Sequence, residues 1–377
     1  MRRLVALLIV AAAVAASGLA ANASASSRLM KGIFDEANTL TGNPDRMFPL
    51  LGQLRTKALR TNLYWGGRYG VASSRPLAPT DPDDPAYDWS LYDRTVRYAQ
   101  QFGIRVVFSV YGTPRWANGG RGLNAAPANP LDLQRFATAA ARRYGGRWVD
   151  EAGVGLPRVD FWLAWNEPNN PVFLKPQFKR VGGTYVRWAP REYARICNAV
   201  VRGVHSLRIR TQKVACGATA PGGNNNPRAS RASISPVAFL RSIKSYGATG
   251  FDAYAHHPYH ANPSESPATP PKGENTITLG NINVLIREVT RLYGAKRVWI
   301  TEYGYQTNPP DKIFGVSWSK QAAYLKQAYA IARANPRIDM LLWFLLKDDT
   351  ARGGWQSGLM TAAGRKKPSF IQYQRIR

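Results

Sequence analysis

Two stretches of this sequence run apolar and aromatic and then end in a glutamate. The first spans residues 158–170, RVDFWLAWNEPNN, and carries Asn166-Glu167-Pro168. The second is VWITEYGY, residues 298–305, and carries Glu302. Runs this apolar read as strands buried on both faces, as in a parallel sheet. Pro168 stops the first strand and biases Glu167 toward extended geometry. An amide and two carboxylic acids are thereby held at the carboxyl ends of buried strands, where α/β folds place their chemistry. A pair of carboxyl groups across one mouth is what hydrolysis of a glycosidic bond needs. One protonates the leaving oxygen, and the other attacks or activates water.

The remaining six of the eight glutamates fall in loops or helices, apart from Glu36 at a strand end. Other strand ends carry compatible residues. Arg60 would keep Glu302 ionised through a charge-assisted hydrogen bond. Burial and the second carboxylate would raise the pKa of Glu167 and keep it protonated as the acid. Asn166 is placed to bond a sugar hydroxyl, and His257 and Tyr259 fall within reach of the nucleophile or the substrate. Tyr111, Trp116 and Trp343 offer flat rings for the C–H faces of sugars. Trp343 reads equally well as barrel core, and Trp116, past its strand, is the stronger platform. Asp348 and Asp349 fit either substrate contact or solvation. No carboxylate or third histidine follows His256-His257 at ligand spacing, so neither a metal nor another cofactor is expected.

The elements that must position these residues alternate strictly. Strands are expected at Lys31–Asp35, Ala58–Trp65, Ile104–Tyr111, Val159–Trp165, Lys213–Ala218, Phe251–His256, Arg297–Thr301 and Ile338–Leu346. Helices are expected at Pro44–Lys57, Ser90–Phe102, Asn129–Tyr144, Pro190–Leu207, Ser235–Tyr246, Leu279–Tyr293 and Ser317–Ala334, with a last one from Pro368. Residues 168–188 read as one long loop. Eight strand–helix pairs with no second composition block imply an α/β fold, a single (β/α)8 TIM barrel over residues 26–377.

Residues 1–25 precede that barrel and read as a signal peptide: Arg2-Arg3, an apolar run from Leu4 to Ala16, then the small residues 21–25. The run is too short to span a bilayer comfortably, and no later stretch could, so no membrane span is expected after cleavage. The formal charge is +28, from 51 basic and 23 acidic residues. An exported chain this basic should attract acidic or cell-wall polysaccharides, and no specific nucleic-acid partner is expected. The charge reads as scattered, with no basic helix or tail. Two cysteines, Cys197 and Cys216, fall in a helix and the strand that follows it. A helix axis lies about 10 Å from the sheet it covers and a bridge needs Cα atoms within roughly 7 Å, which favours two buried thiols.

Residues 159–169 and 298–305 resemble the strand-four Asn-Glu-Pro and strand-seven Glu signatures of glycoside hydrolase clan A. The resemblance extends over nearly the whole mature chain. It includes Arg60, YGTPRWA at 111–117, HPY at 257–259, Gly358-Leu359 and Lys367-Pro368. Trp-Asn-Glu-Pro-Asn and Thr-Pro-Arg-Trp-Ala lean toward family 39-like enzymes over family 5-like ones. The resemblance implies a retaining mechanism with Glu167 as acid/base and Glu302 as nucleophile. Loops 168–188, 220–234 and 260–276 depart from any pattern, and loops set the substrate. The reading is a secreted, extracellular or cell-wall-associated β-glycosidase acting on a polysaccharide or oligosaccharide, with long loops suggesting endo action. Its rivals are a transglycosylase remodelling a wall polymer and a non-catalytic carbohydrate- or polyanion-binding protein.

Overall fold

A computed structural model describes residues 29–376, so the signal-peptide reading lies outside the described residues. The chain order is β1 (Met30–Phe34), α1 (Glu36–Thr39), α2 (Pro44–Gln53), β2 (Ala58–Tyr64), α3 (Ser90–Gln101), β3 (Arg105–Tyr111), α4 (Pro130–Arg143) and β4 (Phe161–Ala164). A hairpin follows, β5 (Phe178–Val181) and β6 (Thr184–Arg187), then α5 (Ala189–His205), β7 (Lys213–Thr219) and α6 (Pro236–Ser245). The chain continues with β8 (Ala253–His256), α7 (Ile282–Tyr293), β9 (Arg297–Tyr303), α8 (Trp318–Ala334), β10 (Ile338–Phe344) and α9 (Pro368–Arg375). The strands close in the order β1-β10-β9-β8-β7-β4-β3-β2, every neighbouring pair parallel. This is a single (β/α)8 barrel, the architecture the alternation requires.

Side-chain parity sorts the strands into two cores. Ala58, Val107, Leu163, Ala215, Ala253, Ala255, Trp299, Met340 and Leu342 fill the barrel interior. Leu59, Phe108, Trp162, Val214, Tyr254, Ile300 and Leu341, one residue out of phase, pack beneath the helices. The interior is tightly packed, alanines sharing it with Trp299, Met340 and Leu342. A Cβ on Gly32 would lie 2.3 Å from Leu342 Cδ2 and 2.5 Å from the Ala58 carbonyl oxygen. Helix starts follow capping chemistry: the Asn43 and Asn129 side chains each accept from a first-turn N–H, beside a proline inside the turn.

Two expectations are corrected. Residues 168–188 are not one loop, since β5 and β6 pair as an antiparallel ribbon around Gly182-Gly183, both at positive φ. The two cysteines are bridged, with Cα atoms 5.8 Å apart. The 10 Å layer spacing is an axis distance. A Cα on the near side of a helix lies about 2.3 Å closer to the sheet than the axis does, which takes up part of the gap, and at Cys197 α5 lies closer to β7 than the general spacing allows for. Tyr193 sets α5 against the barrel, donating to the Ala164 carbonyl (2.8 Å) and accepting from Gly217 N–H (2.6 Å). Among the described residues no helix is long and apolar enough to cross a membrane.

Candidate active site

The carboxyl ends of the strands open into a cleft of about 740 Å³, lined by residues that include Glu36, Tyr64, Asn166, Glu167, Tyr259 and Glu302. Arg60 organises its floor. Leu59 and Leu63 take the outer face of β2, so parity sends Arg60, Asn62 and Tyr64 inward. The Arg60 side chain is fully buried and lies over the Phe34 ring, 4.3 Å from its centroid. Its Nη1 donates to Glu302 Oε1 at 2.6 Å and to the Thr301 carbonyl at 3.2 Å. Its Nη2 donates to Asn166 Oδ1 at 2.5 Å. One planar fork thus fixes residues from strands four and seven of the barrel together, which a single ammonium could not do.

His257 links the two glutamates. Its Nδ1 lies 3.0 Å from Glu167 Oε1 and 3.6 Å from Glu302 Oε1. Its Nε2 lies 3.2 Å from Arg60 Nη1 and 3.0 Å from Thr301 Oγ1. Guanidinium offers only donors, so Nε2 must accept and the ring proton belongs on Nδ1, facing Glu167. Burial pushes the imidazolium down to about 3 against the pull of Glu302, so the ring is neutral. Tyr259 donates its hydroxyl to Glu302 Oε2 at 3.1 Å.

The two carboxyls sit in different surroundings. Burial pushes Glu167 up to about 7, against the Asn170 hydrogen bond and the charges of Arg60 and Arg231. Glu302 instead accepts a charge-assisted bond from Arg60 and one from Tyr259. Oxygen atoms of the two carboxyls and a nitrogen of His257 all lie within 4.8 Å of one another. That donor set also has the make-up of a metal site, which spacing along the chain did not predict. It does not suit a cation: the Arg60 guanidinium donates to Glu302 Oε1 at 2.6 Å, a fixed positive charge beside one of the donor residues. His256 plays no part. It is buried between Thr219 Oγ1 (2.8 Å) and the Ile277 carbonyl (3.0 Å).

Glu167 is not extended as Pro168 suggested. Its φ is +36°, and Trp165 has φ +72°. Proline closes off the right-handed helical region to its predecessor, and the chain turns left-handed at a cost of order 1–3 kcal/mol per residue. Surrounding bonds enforce this. Trp165 N–H donates to the Val110 carbonyl (2.9 Å), its indole to the Phe173 carbonyl (2.7 Å), and Glu167 N–H to the Ala218 carbonyl (2.8 Å). Asn169, fully buried, accepts from Ala220 N–H (2.8 Å) and donates to the Ile234 carbonyl (2.9 Å), tying this loop to the one after β7.

Arg60, Asn166, Glu167, His257, Tyr259 and Glu302 therefore form one cluster. Three expected aromatics stand outside it. Trp343 is fully buried on the outer face of β10, its indole donating to the Ser357 carbonyl at 2.9 Å. Parity makes its neighbour Phe344 the ring that lines the cleft. Tyr111 packs behind the wall, against Trp165 (4.9 Å) and Tyr64 (5.8 Å). Trp116 folds back over the 66–72 loop, its indole donating to the Ala72 carbonyl at 3.2 Å and its ring covered by Arg75. Asp348 is a buried partner of Lys367 (2.7 Å), while Asp349 lines the cleft.

The sequence reading missed Glu36, Tyr64, Asn170 and Trp355, which all line the cleft. Glu36 accepts from Asn62 N–H (2.7 Å) and Tyr64 OH (2.9 Å), and burial raises its pKa. Its place at a strand end was the available signal. Asn170 donates to Glu167 Oε2 at 3.0 Å, and its signal was its position three residues after the glutamate. Trp355, half exposed at the rim and edge-on to Phe344, carried no signal, since the order of the chain does not place a loop over a mouth.

Residues 209–373 match the glycosyl hydrolase catalytic core family, a span that contains His257, Tyr259 and Glu302. No curated protein matches the chain. Among solved structures, a family 39 glycoside hydrolase from the gut symbiont Bacteroides cellulosilyticus WH2 superposes with a TM-score of 0.64 at 18% identity. The alignment covers 94% of this chain and 64% of that one, so this chain spans less than two thirds of that relative's length. A glucosidase from Croceicoccus marinus gives 0.65 at 14% identity, over 94% of this chain and 68% of the other. The family 1 β-glucosidase of Thermotoga maritima gives 0.56 at 13% identity, over 92% and 97%. The clan A resemblance read from the strand-end motifs thus meets a catalytic-core match and neighbours from family 39 and related glycoside hydrolases.

Proposed function

We infer that this protein is an exported retaining β-glycosidase, with Glu302 as nucleophile and Glu167 as acid/base. The glycosyl hydrolase match supports glycosidase chemistry, and one observation carries the mechanism. Oxygens of the two carboxyls lie within 4.8 Å, close to the roughly 5–5.5 Å of retaining enzymes and short of the 6.5–9.5 Å that leaves room for an inverting water. Glu302, held by Arg60 and Tyr259, attacks the anomeric carbon. The anomeric C–O bond breaks as Glu167 gives its proton to the departing oxygen. Glu167 then takes a proton from water, whose oxygen displaces Glu302 and releases the sugar. His257, neutral and donating from Nδ1, orients Glu167 through both halves. Asn166 has its carbonyl oxygen committed to Arg60, which leaves its NH2 group for a sugar hydroxyl.

The aromatic rings of Phe34, Tyr64, Phe344 and Trp355 around a cleft of about 740 Å³ support a polysaccharide substrate and endo action. The Cys197–Cys216 bridge supports an oxidising, extracellular or cell-wall location, in keeping with residues 1–25 as an export signal. Trapping tests the assignment. A 2-deoxy-2-fluoro β-glycoside of a sugar the enzyme turns over should label Glu302, read by peptide mass mapping. Label on any other residue, or products of inverted anomeric configuration, would overturn it.

A pH dependence follows from Glu167. It must carry its proton to act as the acid, and its pKa is pushed up to about 7. Values of kcat/KM should therefore fall tenfold per pH unit above about 7. A Glu167→Gln variant assayed with an aryl glycoside whose leaving group needs no proton should lack that alkaline limb. Its persistence in the variant would assign the limb to another group.

A further inference from the structure

The charge of this chain is not evenly spread. Between residues 175 and 195 stand Lys175, Lys179, Arg180, Arg187, Arg191 and Arg195 against the single acid Glu192. The β5–β6 hairpin and the start of α5 gather several of them around a second concavity of about 200 Å³, lined by Arg121, Lys175, Lys179, Trp188, Glu192 and Arg195 together with small residues and prolines. Arg121 is fixed there by donating Nε to the Asn118 carbonyl (2.8 Å) and Nη2 to the Ala126 carbonyl (3.3 Å). Lys179 Nζ stands 4.0 Å over the Trp188 ring, and the Arg191 guanidinium lies 4.7 Å from the same ring. Glu192 is spoken for by Arg195 at 3.4 Å. Among the described residues, neither Lys175 nor Lys179 has an ion-pair partner.

One stretch of chain borders both the concavity and the cleft. Phe173 lines the cleft and Lys175 lines the concavity, so their Cα atoms lie within about 7.6 Å. The join is held by backbone and amide bonds. Lys175 N–H donates to the Asn124 carbonyl (2.8 Å), and Gln177 Nε2 donates to the carbonyls of Pro168 (2.9 Å) and Leu174 (2.8 Å). The cleft has the opposite character. Its lining carries Glu36, Glu167, Glu302 and Asp349 against Arg231, with the Arg60 guanidinium paired to Glu302 beneath them. An anionic group is drawn more strongly to the concavity than to the cleft.

We propose that the concavity at Lys175, Lys179 and Arg121 is an accessory subsite for an anionic group of a polysaccharide, a carboxylate, phosphate or sulfate on a sugar beyond the one cleaved. It rests on the glycosidase reading for the polymer's passage through the cleft. A chain that places uncharged sugars at Glu167 and Glu302 and an acidic substituent past Phe173 satisfies both surfaces. The basic surface is thus not merely diffuse, as the order of charges along the chain suggested.

Binding without turnover tests it, so that failure of the glycosidase reading leaves the result readable. The full chain carrying Glu302→Gln is titrated with polygalacturonate, its methyl-esterified form, dextran sulfate and duplex DNA at fixed salt. Lys175→Glu with Lys179→Glu should weaken binding of polygalacturonate or dextran sulfate about tenfold. Lys320→Glu with Lys326→Glu, the same charge change on exposed residues of α8, should cost less than about threefold. The neutral pair Lys175→Gln with Lys179→Gln should fall between, and the methyl ester should bind weakly and alike in all variants. Preference for dextran sulfate over polygalacturonate identifies sulfate or phosphate as the group, and the reverse identifies carboxylate. Equal losses from the two lysine pairs would overturn the subsite in favour of diffuse charge. A loss confined to DNA would make it a nucleic-acid surface.

Discussion

Glu302→Gln should abolish turnover of every glycoside the enzyme accepts, by roughly 10⁴-fold or more, while leaving the far-ultraviolet circular dichroism unchanged. The amide keeps the shape of the side chain, its oxygen can still accept from Arg60 and its NH2 can donate to the Tyr259 hydroxyl oxygen, so the fold has little reason to yield. It cannot form the covalent glycosyl bond. Glu167→Gln should behave differently. With a poor leaving group the loss is about 10²–10⁴-fold, the usual contribution of a positioned acid. With an activated aryl leaving group the first step should proceed nearly unassisted and the second stall, giving a burst of phenol followed by a slow steady state. The contrast separates the two roles. Equal losses for both leaving groups in Glu167→Gln, or substantial residual activity in Glu302→Gln, would reverse or remove the assignments.

Arg60→Met should be the most damaging change outside the two glutamates. Arg60 is fully buried and donates to Glu302, Asn166 and the Thr301 carbonyl. Removing it leaves a buried carboxylate and a buried carbonyl unpaired, an expected cost of about 3–5 kcal/mol in unfolding free energy. Arg60→Lys should recover part of this at most, because one ammonium cannot reach Glu302 and Asn166 together. Chemical denaturation of Arg60→Met, Glu302→Gln and the double variant checks the coupling. Arg60→Met should cost markedly less in the Glu302→Gln background, where no charge is stranded. Strict additivity would show that Arg60 acts through packing on Phe34 rather than through the carboxylate.

Much of the site was legible because a strand's carboxyl end is a fixed address in this fold. Asn166, Glu167, His257, Tyr259 and Glu302 each follow or end an apolar run, and the alternation of elements brings such ends to one face, while Arg60 reaches them from inside β2. The aromatics were less legible because a ring one residue out of phase faces the helices instead. Trp343 and Phe344 are adjacent and both aromatic, and only Phe344 lines the cleft. Trp116 and Trp355 lie in loops, and chain order does not say which loop leans over the mouth. The same limit hid the hairpin at 178–187 and the basic concavity it builds.

The sequence by itself determined the eight-fold alternation, the two strands that end in glutamate and the arginine that stands between them. The apolar periods admit little else, since a buried parallel strand has no other way to be written. The tertiary structure alone decided where those glutamates point. In β9 the inner and outer cores continue the alternation through Trp299 and Ile300, which would turn Glu302 outward. A register shift between β9 and β10 falls just there, and Tyr303 rejoins the outer core three residues after Ile300. In β4 the left-handed turns at Trp165 and Glu167 do the equivalent. One inserted residue reverses every side chain that follows it, and the bonds that hold the reversal come from neighbouring strands. Local sequence cannot encode them, and on them rests the approach of the two carboxyls to within 4.8 Å.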